Sequence, residues 1–191
     1  MIAIAGEIIS PTKINVLSFG EENPGGVKKA DIIDLGKAAS LAQSAIDKAQ
    51  KKINNASVDY VYLAVSGSQI SAIRSHGSAN ISAIDGTISA SDIERAKDDA
   101  KSKNIPPDCC FINRICCGYY IDGQYVKNPE KQKGGNLEAE YWLMYTNKEK
   151  LINLMSVVQT FDGLQVEEIL HSGIASALAC TTPQQRENGV L

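Results

Sequence analysis

No apolar run in this 191-residue chain approaches the roughly 18–20 residues that cross a bilayer as a helix, which argues against a membrane span. Charge of one sign is not in excess either. Lys plus Arg number 19 and Asp plus Glu 22, a net charge of −3 with no dense basic patch, so nucleic acid is disfavoured as the main partner. The start, MIAIAGEIIS, lacks the basic opening and long apolar stretch of a secretory signal. Without a signal, the five cysteines read as free thiols in the cytosol rather than as a disulfide framework. What the chain does have is 43% hydrophobic residues, enough for a core, and a length suited to one ordinary domain or two small ones.

Residues 2–9 and 13–19 read as strands joined by a turn at Ser10-Pro11-Thr12. From Asp31 to about Ile53 apolar residues recur at spacings of three and four. This predicts a helix with Asp31 and Asp34 near its start, lysines near its end and Asn54-Asn55 as its stop. Residues 58–65 predict a buried strand, Gln69–Ser75 a strand, and Gly77–Ile81 a further one. Ser91-Asp92-Ile93-Glu94 has the form of a capping box opening a helix that Asn104-Ile105-Pro106-Pro107 ends.

Residues 109–126 predict two strands around a tight Asp122-Gly123 turn. Strand 137–145 alternates Leu137, Ala139 and Tyr141 against Glu138 and Glu140. Asn147 is placed to cap a helix over 148–161, with Gly163 closing it. A strand at 166–170, a helix at 172–180, a polar run after Pro183 and the beginning of a strand at Gly189 complete the chain. Both abrupt ends suggest a piece of a longer protein.

Chemistry-bearing motifs are few. There is no P-loop and no G-x-G-x-x-G, and Gly25-Gly26 and Gly134-Gly135 fall in loops without the flanking strand and helix of a phosphate cradle. Ser66-Gly67-Ser68 follows a strand but lacks the nucleophile-elbow pattern. Cys109-Cys110 and Cys116-Cys117 flank a strand. Parity puts Cys110 and Cys116 on one face and Cys109 and Cys117 on the other, too far apart for one ion and better read as small buried hydrophobes. His76 and His171 have no carboxylate or cysteine at catalytic spacing, and Trp142 reads as core. These residues point to an α/β binding or assembly module rather than an enzyme.

Taken in order, the segments GGVKKADIIDL, AIDKAQKK, VDYVYLAVSGSQI, YYIDGQYVKNPEKQKGGNLEAEYWL and GLQVEEILHSGIASALACTTPQQRENGVL resemble the bacterial actin-like cell-division family FtsA. The pilus-assembly family PilM shares the layout. The resemblance implies an α/β (α+β) fold: a partial actin-like (ribonuclease H-like) subdomain at 1–66 and 162–191, with a strand–helix–strand–strand module inserted at 67–161.

It further implies that the full-length parent binds ATP and magnesium, while this stretch carries neither phosphate motif, no metal site and no catalytic residue. The implied partners are FtsZ and late division proteins, together with self-association. Membrane contact would come only through a C-terminal helix outside this sequence. The implied place is the cytoplasmic face of the membrane at the division site. Ala30, where the family often has Gly, Cys116, where Pro is common, and a short linker at 20–26 depart from the pattern. Within the module, strand 69–75 or 137–145 is the candidate edge for a partner strand. Arg74, His76, Tyr119 and Tyr120 are the candidate contact residues.

Overall fold

The structure, a computed structural model, describes residues 1–10, 13–53, 58–159 and 163–189. The described chain divides into two units. The first holds Met1–Ser68 and Lys148–Leu191, the second Gln69–Asn147.

The first unit opens with β1 (Ile2–Ser10) and β2 (Lys13–Glu21), an antiparallel pair whose turn residues Pro11 and Thr12 lie outside the described residues. A two-rung ladder, β3 (Val27–Lys28) with β4 (Asp31–Ile32), then occupies part of the expected 20–30 loop and takes Asp31 out of the expected helix. Helix α1 (Leu35–Lys51) starts only after Asp34, whose carboxylate caps it by accepting the Lys37 N–H at 3.0 Å. Its small face, Ala38, Ala45 and Ala49, is buried.

That face lies close on β2. A side chain at Gly20 would sit 1.9 Å from the Ala45 carbonyl oxygen, and Ser18 donates its hydroxyl to the Ala49 carbonyl at 2.7 Å. The Asn54-Asn55 stop lies outside the described residues. Among the described residues strand β5 (Tyr60–Val65) pairs only with β10 (Gln165–His171), in parallel, so the expected buried strand is instead half open, with Tyr60 and Tyr62 exposed.

The second unit is a four-stranded antiparallel sheet with one helix. Strand β6 (Ser71–Asn80) is continuous where two strands were expected. Helix α2 (Ala90–Lys101) follows, then β7 (Cys109–Ile121), β8 (Gln124–Val126) and β9 (Asn136–Asn147). The sheet order is β6-β9-β7-β8. Asp122 and Gly123 both have positive φ, as a two-residue hairpin turn requires.

The capping box sits two residues earlier than expected, on Ser89 and Asp92. The reason is local. Ile88 is held in place by backbone bonds with Gln132 and Lys131, and the buried Asp92 carboxylate reaches back to the Ser89 amide and hydroxyl. Ser82 and Arg95 also donate to Asp92, and these bonds hold its carboxyl far below the ordinary carboxylate range, the Ser89 bonds contributing most.

The core of this unit is α2 against the odd-numbered residues of β9: Leu137, Ala139, Tyr141 and Leu143, with Ala79, Ile88, Ala96, Ala100 and Ile121. The alternation expected for β9 therefore holds. It also places Trp142 on the opposite face, 43% exposed rather than in the core.

The chain then returns to the first unit. The module is shorter than 67–161, because helix α3 (Lys148–Gln159) packs on α1, β4 and β10 and counts with the first unit. Phe161, the last residue of the expected helix, lies outside the described residues. Strand β10 (Gln165–His171) and α4 (Ser172–Cys180) match expectation. Helix α5 (Pro183–Asn188) was not anticipated, although Thr182 and Gln185 form a capping box with Pro183 in the first turn. The strand expected from Gly189 onward falls on Val190 and Leu191, outside the described residues.

Two outcomes follow from the first unit. Ile2, Ile4, Ile8, Ile14, Val16 and Phe19 leave a largely exposed apolar surface on the two-stranded β1–β2 sheet. The isolated chain should therefore self-associate, and a clean monomer by light scattering at high concentration would contradict this. Separately, Ala30 stands at φ +66° between β3 and β4, a conformation an L side chain resists. Ala30→Gly should stabilise the chain by about 0.5–1 kcal/mol in urea unfolding, strain relief exceeding the entropy cost of glycine.

Candidate functional site

One face of the four-stranded sheet is filled by α2. On the other face no element of the unit lies. Register places Ala72, Arg74, His76 and Ser78 of β6 there, beside Met144, Trp142, Glu140 and Glu138 of β9. From β7 come Asn113, Ile115 and Tyr120, and from β8 Tyr125.

Glu140 is the centre of this face and is only 2% exposed. Arg74 donates its Nε–H to Glu140 Oε1, and the Tyr120 hydroxyl donates to Oε2 at 3.0 Å. His76 Nε2 lies 3.7 Å from the same carboxylate. The bond from Arg74 is the main cause holding the Glu140 carboxyl below its usual range, against the opposing effect of burial, and Tyr120 adds to it. In return, Glu140 pushes the Tyr120 hydroxyl upward and raises Arg74. Tyr120 also meets Tyr125 edge-on, with ring centroids 5.6 Å apart.

Three of the four candidate contact residues, Arg74, His76 and Tyr120, are thus brought together on one open surface. Tyr119 is not. It pairs with Ala139 on the helix side and packs half-buried against the core, where desolvation raises its hydroxyl pKa. Glu140 itself was not singled out from sequence. The only signal was an acid in an alternating strand, and its partners lie on strands more than a dozen residues away.

The expected edges need correction as well. Strand 137–145 is β9, paired on both sides, and offers no free edge. Of the two candidates the one at an edge is β6, which contains most of the 69–75 stretch.

The cysteines are arranged differently from the parity argument. Register shifts at Ile112 and Cys117 break the alternation of β7. Cys110 pairs with Thr146 on the open side, whereas Cys116 pairs with Tyr141 on the helix side. All five are free thiols; Cys116 and Cys180 are exposed and the others half-buried, not core residues. Among the described residues no group of three or more His, Cys, Asp or Glu is placed to hold a metal ion.

The Gly134-Gly135 pair does not fit a phosphate. The Gly134 N–H bonds to the Gly86 carbonyl and the Gly135 N–H to the Asp122 carboxylate, so those amides are already taken. The arrangement is a satisfied polar cluster under an exposed aromatic rim.

The cluster titrates with a definite sign. Ionised Glu140 contributes stability that is present above its unfolded value of 4.5 and is lost as pH falls through the lower folded value. Glu140→Gln should therefore lower the urea midpoint at pH 7, with the gap to the parent narrowing toward pH 3. An equal gap at both pH values would show that the charge is not what matters.

A family model described as the SHS2 domain inserted in FtsA matches residues 67–145. Along the whole chain there is 28% identity to the cell division protein FtsA of Pseudomonas aeruginosa, covering 45% of that protein. FtsA of Escherichia coli K12 is 29% identical over 98% of the chain and 44% of its own length. FtsA of Neisseria meningitidis is 25% identical over the full chain and 45% of its own. The chain thus spans less than half the length of these relatives.

Among solved structures, the PilM-PilN type IV pilus biogenesis complex shares the fold with a TM-score of 0.56 at 10% identity, over 92% of this chain and 45% of that one. Residues 67–145 thus match the SHS2 domain inserted in FtsA, and along its length the chain is similar to FtsA cell division proteins.

Proposed function

We propose that the chain is part of an FtsA-like cell-division adaptor. In full length this adaptor links FtsZ to the membrane and recruits late division proteins through the inserted unit. The observation that carries the reading is the match of the FtsA SHS2 model to residues 67–145, a stretch that coincides with a separate compact unit at 69–147.

The unit suits a binding role because it leaves one sheet face and the long β6 edge without a partner element of its own. In this reading the chain is not itself an enzyme. ATP and magnesium belong to the full-length parent and are held by residues outside this sequence. The place of action is the cytoplasmic face of the membrane at the division site, reached through a C-terminal helix that is also outside it. Among the described residues no helix is long and apolar enough to cross a membrane.

A second reading has its own support. The likeness to the PilM-PilN complex leaves open a pilus-assembly parent of the PilM type, since the shared fold does not separate the two roles.

Inactivating the parent gene distinguishes them. The adaptor reading expects long undivided filaments, rescued by the intact gene and not by one lacking residues 69–147. Normal division with loss of surface pili would replace it with the pilus reading.

A further inference from the structure

We propose that the first half of the β6 edge receives an extended acidic peptide from another protein, added as a fifth strand to the sheet. This rests on the reading of the inserted unit as a protein-binding module.

The edge is divided in two. Among the described residues β6 pairs only with β9, and no described strand lies on its other side. Successive residues of a strand direct their backbone groups to alternate sides. The Ser78 N–H is bonded to the Asp99 carboxylate at 2.9 Å, and the Asn80 carbonyl accepts from Arg95 at 2.9 Å. Even-numbered residues therefore face outward, and α2 closes the outer edge at Ser78 and Asn80. Among the described residues no such side chain covers Ala72, Arg74 or His76, whose outward amides and carbonyls match the repeat of an added strand. Because α2 blocks further progress, an incoming strand must stop near His76, which sets its register.

At that stopping point the edge opens into a polar pocket of about 350 Å³, lined by Ser75, His76, Asp99, Ser102, Lys103 and Asn104. Its lining joins Ser75, on the helix side of β6, to His76, on the open side, so it straddles the edge where a strand would end.

The charge around this stretch selects the peptide. The nearby acids are engaged, Asp99 by the Ser78 amide, Glu140 by Arg74 and Tyr120, and Glu138, beside Ser78, by the Asn136 side-chain amide. Among the described residues Lys103 has no ion-pair partner, and Arg74 remains 58% exposed beyond its bond to Glu140. A strand with carboxylates at alternate positions meets Arg74 and His76 on the open face, and a terminal acidic side chain meets Lys103 in the pocket.

The test uses the full 191-residue chain and synthetic twelve-residue peptides of alternating valine and glutamate, with a valine–lysine peptide as control. Amide hydrogen exchange is read residue by residue by NMR. The acidic peptide should slow exchange at Ala72, Arg74 and His76 by tenfold or more, while Ile73 and Ser75, already in the ladder with β9, stay unchanged. Ala72→Pro removes an outward amide without touching that ladder and should abolish the protection with the unfolding midpoint preserved. Lys103→Glu should weaken it severalfold.

Three results overturn the proposal: no protection at these alternate amides, equal protection by the lysine peptide, or protection that rises with chain concentration alone, which assigns the edge to a second copy. The readout involves neither division nor pili, so its failure is separable from failure of the adaptor reading.

Discussion

Everything in the inserted unit depends on how closely α2 lies against β6. A side chain built at Gly77 would stand 2.0 Å from the Ala100 nitrogen and 2.5 Å from the Ala96 carbonyl oxygen, so only glycine admits the helix at this depth. Ala96 and Ala100 are fully buried at the contact, and Ser75 ties its hydroxyl to the Ala100 carbonyl at 2.7 Å. This depth brings Asp99 and Arg95 within reach of the β6 backbone. The first unit uses the same device, with Gly20 beneath Ala45 of α1 and Ser18 bonded to Ala49. In both units a small-residue helix stripe meets a strand at a glycine, and a serine two residues earlier on that strand holds the helix from below.

This explains which parts of the fold were legible. The periodicity of α1 and the alternation of β9 record burial directly, so their inward faces could be read from residue type alone. The Asp122-Gly123 turn is a local requirement on φ and was equally visible. Edge or centre is another matter. β9 and β6 carry similar local signals, yet β9 is enclosed because β6 and β7 both return to it, a fact of topology rather than of composition. The bulges in β7 are likewise silent in sequence, and one of them was enough to move Cys116 to the helix side.

Glu140 shows the same limit within the candidate site. An acid alternating with apolar residues on a half-covered sheet ordinarily faces water. Here it is almost wholly enclosed, and what makes that tolerable is the convergence of Arg74 and Tyr120 from the two flanking strands. The arginine remains largely exposed while the carboxylate it neutralises is hidden. The face therefore presents Arg74 and its aromatic groups outward and keeps Glu140 inside, so the surface potential differs from the residue count. Tyr119, one position from Tyr120, belongs to the core simply because adjacent strand residues point to opposite faces.

An exposed strand edge is a hazard, and a ten-residue one in particular invites unintended pairing. The unit does not leave β6 unguarded. Asp99 and Arg95 occupy backbone groups at its far end, and charged or polar side chains at Arg74, His76 and Ser78 line its outer positions. If protection were the only requirement, the helix could have closed the near end as well. Instead the guarded portion stops at Ser78, and the stretch before it opens on a polar pocket. A partly blocked edge discriminates, because it admits a strand of limited length in one register and refuses a longer or slipped one. The same close seat that packs α2 into the core thereby sets how much of the sheet another chain can reach.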